Sequence, residues 1–423
     1  MKICFKALIL SLFLPIIASA ENVSDLGDLI LIALKNNPGL KAAYSQKEIY
    51  KNKSKQIDSS LLPQINLTGG YSRASPLPSV NATKDSNNSY DLYSLGVDLK
   101  VNLYDFDKIK NLSKSYEFLE RSSEYDFFSV KSQIITNVTI NFFRLLQAKE
   151  NLTVAVQTRD NLLNHLKMAQ QFYLSGMKPK YDITKAEVNL SNAELNIIKA
   201  QNSIKIIESE LRKSIGVDNV SFEINDYEIK INETPNLDNL TEKGLIKRAE
   251  LLSIREKIKS SESTLKATKT NYYPAFSLES SYLRSGNHPE MDRDGWNIGI
   301  KFNFPLYNGN LTNYQINEIL ANISYLKYTE QVLMQSIKNE IEIAFYNLQE
   351  SVKKYKISEK ILKQAEENYE IAKGRYNAGL STPIELSDAE IELEKGRLNR
   401  ISSKYDYLIS EALLKKAVGE LDE

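Results

Sequence analysis

The sequence predicts a mainly α-helical fold with a β-barrel segment, built from one unit written twice. Three observations predict it: two ungapped registers of internal similarity, four stretches of period-two alternation, and two long unbroken helical runs. An offset of 211 residues pairs Leu26, Leu29, Leu34 and Leu40 with Leu237, Leu240, Leu245 and Leu251, and then Pro63, Leu67, Tyr71 and Arg73 with Pro274, Leu278, Tyr282 and Arg284. An offset of 203 takes over and pairs Gly96, Leu103 and Tyr104 with Gly299, Leu306 and Tyr307. It continues with Tyr173, Gly176, Ala186, Glu187 and Leu190 against Tyr376, Gly379, Ala389, Glu390 and Leu393, and ends with Gly216 against Gly419. The difference of eight residues falls between Tyr71 and Gly96, where the first copy carries a Ser/Pro/Asn-rich loop from Ser75 to Asn88. The chain is read as a first unit over 21–216, a connection over 217–235 and a second unit over 236–423.

Residues 1–20 read as a secretory signal peptide. Lys2 and Lys6 supply the positive start, Ala7 to Ile17 the apolar stretch, and Ala18-Ser19-Ala20 the small-residue cleavage site. The one cysteine, Cys4, lies in this leader, so the mature chain is expected to have no disulfide and no cysteine metal site. No later run is apolar enough to form a transmembrane helix.

Each unit follows the order helix, strand, loop, strand, very long helix, tight turn, helix. Strands are expected at about 64–73, 93–104, 275–284 and 296–307. In the second, Tyr93, Leu95, Val97, Leu99, Val101 and Leu103 share one face, and Ser94, Gly96, Asp98, Lys100 and Asn102 the other. In the fourth, Trp296, Ile298, Ile300, Phe302 and Phe304 oppose Asn297, Gly299, Lys301 and Asn303. Runs near ten residues with aromatic ends (Tyr71, Tyr93, Tyr104, Tyr272, Tyr273, Trp296, Tyr307) suit tilted strands crossing an outer membrane. Four such strands cannot close, because open edges in lipid leave backbone groups unpaired. Two chains would share eight strands and three chains twelve; the charges Asp98, Lys100, Glu279 and Lys301 on the polar faces fit a wet lumen better than a packed one.

The long helices are expected over about 107–174 and 311–377, each about 100 Å at 1.5 Å per residue. Ile341, Phe345, Leu348, Val352 and Tyr355 recur at alternating spacings of four and three, and after a shift at Ser358 the pattern resumes with Leu362, Ala365, Tyr369, Ala372 and Tyr376. That is a coiled-coil seam with one discontinuity. Gly176 and Gly379 end these helices, and Pro179 and Pro383 open the returning ones.

Composition narrows the function. Lys plus Arg and Asp plus Glu both number 54, which excludes a basic nucleic-acid grip. Only 16 Gly are present, no P-loop or Gly-x-Ser-x-Gly motif occurs, and His165 and His288 stand alone. The chain is read as a non-enzyme, with no catalytic, cofactor or metal site. The remaining alternative to a channel is a periplasmic coiled-coil structural or adhesive protein, for which membrane-length hairpins have no use.

The duplicated helix starts (Asn37-Pro38-Gly39-Leu40 and Arg248-Ala249-Glu250-Leu251), the strand ends (Leu103-Tyr104-Asp105 and Pro305-Leu306-Tyr307-Asn308-Gly309) and the helical turns (Tyr173-Leu174-Ser175-Gly176-Met177 and Tyr376-Asn377-Ala378-Gly379-Leu380) resemble those of the TolC-type outer-membrane efflux proteins, over the whole mature chain. The resemblance implies a homotrimer in outer-membrane lipid, with a twelve-stranded barrel above a tunnel of long antiparallel coiled helices in the periplasm. It implies the exit duct of a tripartite efflux or type I secretion system, docked to a periplasmic adaptor (membrane fusion) protein and an inner-membrane efflux or ABC-type transporter. Carried over by position, it makes Glu385 and Asp388 the acidic ring of the periplasmic aperture, Tyr376 and Asp182 a candidate gate latch, and the turns at Gly176-Met177 and Gly379-Leu380 the adaptor contacts. Ser381 stands where such proteins often carry a latch Arg. A capping box is the competing reading of this stretch: Thr382 as cap, Pro383 at the first helical position and Glu385 three past the cap.

Overall fold

The computed structural model describes residues 22–23, 25–75, 89–218, 220–222 and 236–420. The leader, the loop at 76–88 and most of the 217–235 connection lie outside the described residues. In chain order the elements are β1 (Asn22–Val23), α1 (Leu26–Asn36), α2 (Pro38–Asp58), β2 (Gln64–Ala74), β3 (Tyr90–Tyr104), α3 (Lys108–Leu174), α4 (Lys180–Ile215), β4 (Ser221–Phe222), α5 (Leu237–Lys247), α6 (Ala249–Lys269), β5 (Ala275–Gly286), β6 (Arg293–Asn303), α7 (Leu311–Asn377) and α8 (Pro383–Val418). The mainly helical fold with four antiparallel membrane-length strands is the one the sequence predicts.

Three details differ from the sequence reading. Each unit opens with two helices rather than one. Asn37, the residue before Pro38, is forced out of the helical region (φ −59°, ψ 121°) and caps α2 by accepting a hydrogen bond from the Gly39 amide at 2.8 Å. Strand β6 covers Arg293–Asn303 instead of 296–307, because Pro305 lacks the amide a ladder needs. Pro179 caps α4 from outside, whereas Pro383 does occupy the first position of α8 behind the Thr382 cap. The short parallel pair β1–β4 has no periodic signature in the sequence.

The four long strands form one antiparallel sheet in the order β2-β3-β5-β6, leaving β2 and β6 as edges. The two units therefore meet at the β3–β5 pairing, with Lys100 opposite Glu279 and Val97 opposite Tyr282. On the helix side a bulge at Leu103 shifts the register before the last pair, Tyr104 with Phe276. From the sheet the chain turns into α3 through two left-handed residues, Phe106 and Asp107, and into α7 through Gly309 and Asn310 at the equivalent places. Asp105 caps α3, its carboxylate accepting from the Lys108 and Ile109 amides, both at 3.1 Å.

Below the sheet α3 and α4 form one helical hairpin and α7 and α8 the other, joined along α3 and α8. The coiled seam of α7 is buried as its spacing requires: Ile341, Phe345, Leu348, Tyr355, Ala365, Tyr369, Ala372 and Tyr376 are all under 10 % exposed. Ser358, at the discontinuity, is buried too and its hydroxyl meets that of Ser403 at 2.6 Å. The main core lies at mid-height, where α1, α2, α5 and α6 wrap the long helices around Phe142, Leu145, Leu211, Leu251, Ile341 and Tyr405.

Gly216 and Gly419 end the returning helices with φ of +73° and +79°, and each sits against the break between the two short helices of its own unit. A Cβ on Gly216 would lie 2.9 Å from the Asn37 Cα, so Gly216→Ala meets both left-handed strain and a backbone clash. We expect a loss of about 1–3 kcal/mol, read as a lowered unfolding midpoint. An unchanged midpoint would show that the junction yields.

Candidate channel face and helical aperture

The strand register sorts the sheet into two chemically distinct faces. Ile65, Leu67, Val97, Tyr282, Trp296, Ile298, Ile300 and Phe302 lie on one, all more than 40 % exposed in the single chain. An apolar face of this size has no partner among the described residues. Its aromatic residues mark both rims. Tyr71 and Tyr93 lie 5.0 Å apart toward the loop end, while Phe106 sits between Tyr104 and Tyr273 at 4.7 and 4.8 Å on the helix side. Aromatic rims of this kind mark membrane interfaces.

The opposite face carries Gln64, Asn66 and Thr68 of β2, Asp98 and Lys100 of β3, Ser277, Glu279 and Ser281 of β5, and Asn297 and Lys301 of β6. Glu279 is bracketed by Lys100 at 3.6 Å and Lys301 at 3.7 Å, and Asp98 accepts from Thr68 at 3.2 Å. The four charges expected to line a lumen thus share one face, and three of them form one cross-strand network. Both lysines are well exposed and Glu279 is half-buried, so their mutual attraction is weak and leaves them open to water and ions.

At the far end of the helices the two tight turns are built alike. Gly176 and Gly379 have φ of +74° and +73°, and the next residues, Met177 and Leu380, are 63 % and 73 % exposed. Glu385 and Asp388 both lie exposed on the first turns of α8. The Glu385 amide donates to Thr382 Oγ1 at 3.3 Å, so the capping contact is real. Its carboxylate does something else: Oε1 forms an ion pair with Arg375 Nε at 3.0 Å, across the turn from the end of α7. Sequence reasoning looked for an Arg at Ser381 and missed Arg375, ten residues upstream of its partner. Ser381 is buried and its carbonyl accepts from Lys178 Nζ at 3.4 Å, which ties the two turns together.

Tyr376 and Asp182 come together inside one chain, Tyr376 with no measurable exposure and Asp182 at 5 %. No hydrogen bond joins them, and the Tyr376 hydroxyl and Asp182 Oδ2 lack partners within the protein. Burial first, then the Asp182 and Glu390 charges, push the Tyr376 phenol up. His165, expected to stand alone, does not. Its ring lies edge-on to Tyr376 at 5.1 Å, and its Nδ1 faces Glu390 Oε2 at 3.8 Å. His288 is exposed in the β5–β6 turn. The family resemblance pointed to Tyr376 and Asp182, but no sequence signal pointed to His165 or Glu390 beside them, because the four residues come from four different helices.

Among the described residues no helix is long and apolar enough to cross a membrane, and no group of three or more His, Cys, Asp or Glu is arranged to hold a metal ion. The first fact says nothing of strands, and the strands are where the apolar surface is.

The family model described as outer membrane efflux protein matches residues 29–217 and again 240–420, once in each unit. The chain belongs to the outer membrane efflux protein family. Membership sets the strands in the outer membrane and the helical hairpins in the periplasm. Among its relatives, the outer membrane protein TolC of Vibrio cholerae is 22 % identical, covering 98 % of this chain and 95 % of its own. The alkaline protease secretion protein AprF of Pseudomonas aeruginosa is 20 % identical over 93 % of this chain and 84 % of its own. The solved CmeC outer membrane channel of Campylobacter jejuni superposes with a TM-score of 0.84 at 20 % identity, covering 93 % of this chain and 85 % of that one. At that identity the superposition speaks for the fold. An efflux duct is the role the family supports, and it is a passive role rather than an enzymatic one.

Proposed function

We propose that three copies of the chain close a twelve-stranded barrel over a tube of helical hairpins, forming the exit duct of a tripartite efflux or type I secretion system. One observation carries the reading: an open four-stranded sheet, apolar on one face and polar on the other, stands on hairpins whose own flanks are also unfinished. On α4, Tyr181, Val188 and Leu195 recur every seven residues at 48–62 % exposure. On α7, Ile343, Ile357 and Ile371 recur every fourteen at 51–63 %. Those are coiled-coil stripes without a partner in the chain. A neighbouring copy supplies one if α7 packs on the next copy's α4 and β6 pairs with the next copy's β2. Closure removes every free edge, as lipid demands.

In this arrangement the turns at Gly176-Met177 and Gly379-Leu380 face the periplasmic adaptor, and an inner-membrane transporter supplies the substrate and the energy. Glu385 and Asp388 of three copies ring the aperture, while Tyr376 and Asp182 lie behind it as the latch. Because Arg375 pairs with Glu385, the unneutralised charge of the ring resides on Asp388. Planar-bilayer recordings of the purified trimer test this. Ion conductance is expected, and Asp388→Ala should reduce cation preference and divalent-cation block more than Glu385→Ala does. A soluble monomer without conductance would favour the structural or adhesive alternative. Equal effects of the two substitutions would remove the role given to Arg375.

A further inference from the structure

The seam between the two hairpins of one chain holds a buried polar cluster with one member from each helix: His165 of α3, Asp182 of α4, Tyr376 of α7 and Glu390 of α8. None is more than 8 % exposed. Five side-chain atoms in it lack a hydrogen-bond partner within the protein: both ring nitrogens of His165, Asp182 Oδ2, the Tyr376 hydroxyl and Glu390 Oε2. Such groups cost about 1–3 kcal/mol each when left unsatisfied, so a cluster of them calls for a role. We propose that His165 and Glu390 form an electrically neutral bolt across this seam, and that opening the seam moves one proton from the Glu390 carboxylic acid to the His165 imidazole. The inference rests on the reading that the hairpins form a gate.

The surroundings favour the neutral form on both sides. Burial lowers His165, with the Asp182 charge pulling the other way. Burial raises Glu390 to about 7, against a weaker opposing effect of Lys373 on α7. Glu394, one turn along α8, is raised by burial as well, and Tyr369 of α7 is raised by burial and the Glu390 charge. The remaining cations nearby are engaged elsewhere: Lys178 lies over the Tyr376 ring at 5.8 Å, and Arg397 donates to Gln157 at 3.2 Å. Among the described residues no lysine or arginine lies at contact distance from Glu390 in the closed seam, and His165 approaches it to 3.8 Å. In the closed state burial favours the protonated acid below about pH 7 and favours the neutral imidazole. Once water enters, Glu390 ionises and, below about pH 6.5, the imidazole takes up the proton, so the proton count is unchanged there.

The duplication isolates the device. The 203-residue offset maps His165 onto Asn368, Glu390 onto Glu187, Tyr376 onto Tyr173 and Asp182 onto Glu385. All four counterparts are exposed in the single chain. In the proposed trimer Asn368 of α7 and Glu187 of the neighbouring copy's α4 occupy the equivalent seam between copies. That seam has no histidine, so the bolt operates within each chain and not between chains.

The two groups respond to pH in opposite directions. A raised Glu390 favours closure at low pH and loses that contribution as pH rises from about 4.5 through 7. A lowered His165 favours closure at high pH and loses its contribution as pH falls below about 6.5. Together they oppose each other below about pH 6.5, so the intact pair makes the seam less sensitive to pH there than either group alone would. Nitroxides on Asn164→Cys and Glu392→Cys, exposed on α3 and α8, report seam opening in the assembled trimer as a distance distribution. With His165→Asn, the open fraction should grow about tenfold between pH 6 and pH 8. With Glu390→Gln, it should grow toward pH 5, and the unsubstituted pair should change less between pH 6 and pH 8 than the His165→Asn variant does. Histidine-selective NMR of the His288→Gln trimer needs no change in the seam. His165 should carry less charge at pH 6 than a solvated imidazole, which is roughly three-quarters charged there. A His165 that charges like a solvated imidazole, or seam slopes of the same sign in both variants, overturns the bolt and leaves the duct standing. Opposite slopes with no matching change in conductance would uphold the bolt and sink the gate reading beneath it.

Discussion

Ile300→Arg is expected to prevent assembly in the outer membrane. Ile300 sits mid-strand on β6, pairs with Leu278 and is 71 % exposed on the apolar face. An arginine facing lipid near the bilayer midplane costs about 2–4 kcal/mol. Three copies in a closed barrel bring that to roughly 6–12 kcal/mol, comparable with the whole stability of a domain. The measurement is the amount of heat-modifiable trimer in outer-membrane fractions. Gly299→Arg is the control: the adjacent residue points to the polar face, and nothing lies within 4 Å of a Cβ placed there. That variant should assemble and conduct with altered ion preference. Equal loss in both would mean that the two faces are not lipid and lumen.

Arg248→Met should produce the second large effect, in the helices rather than the barrel. Arg248 is 7 % exposed at the break between α5 and α6. Its Nε and Nη2 donate to the two oxygens of Glu250 at 3.0 and 3.3 Å, and Nη1 donates to Glu340 of α7 at 2.8 Å and to the Ala417 carbonyl of α8 at 3.1 Å. One guanidinium therefore ties the short helices to both long ones. Removing one side of a buried charge network typically costs 3–5 kcal/mol; Glu250 and Glu340 are partly exposed, so about 3 kcal/mol is expected. Arg248→Lys should recover little, because a point charge cannot replace the fork.

The same site has a pH signature. Burial pushes Glu250 up, but the hydrogen bonds and charge of Arg248, helped by Ser129, overcome it and hold the carboxylate below its usual range. A carboxylate depressed in the folded state contributes stability above about pH 4.5 and loses it as pH falls through the depressed value. Arg248→Met should flatten that acid limb of the unfolding profile. A variant that unfolds at the same midpoint with the same acid limb would show the network to be ornamental.

The equivalent junction of the first unit does the same job with different chemistry. Asn37 stands at the position matching Arg248, and its amide donates to the Ser214 carbonyl at 2.8 Å, just as Arg248 reaches Ala417. The duplication preserved the place and the carbonyl while the donor diverged from an amide to a guanidinium. Alignment of the two copies exposes the position but cannot say that either side chain reaches a helix end some 170 residues away.

That contrast runs through the molecule. By itself the sequence determined everything that depends on local period: the duplication, the long helices, the buried stripe from Ile341 to Tyr376, and strands with one apolar and one polar face. These are legible because burial imposes a repeat of two or about 3.5 on neighbouring residues, and the repeat survives in the order of the letters. Even the polar-face charges Asp98, Lys100, Glu279 and Lys301 could be placed on one face, since alternation along each strand suffices. The sequence could not name what lies across a contact. Arg375 against Glu385, Arg248 against Glu340, and His165 against Glu390 join different helices, and no periodicity links a residue to its partner on another element. Nor could composition separate His165 from His288, two histidines alike on paper, of which one is exposed in a turn and the other sealed between two hairpins. Only the tertiary structure decided that, because burial of a single polar group follows from which helices meet, not from the residues beside it in the chain.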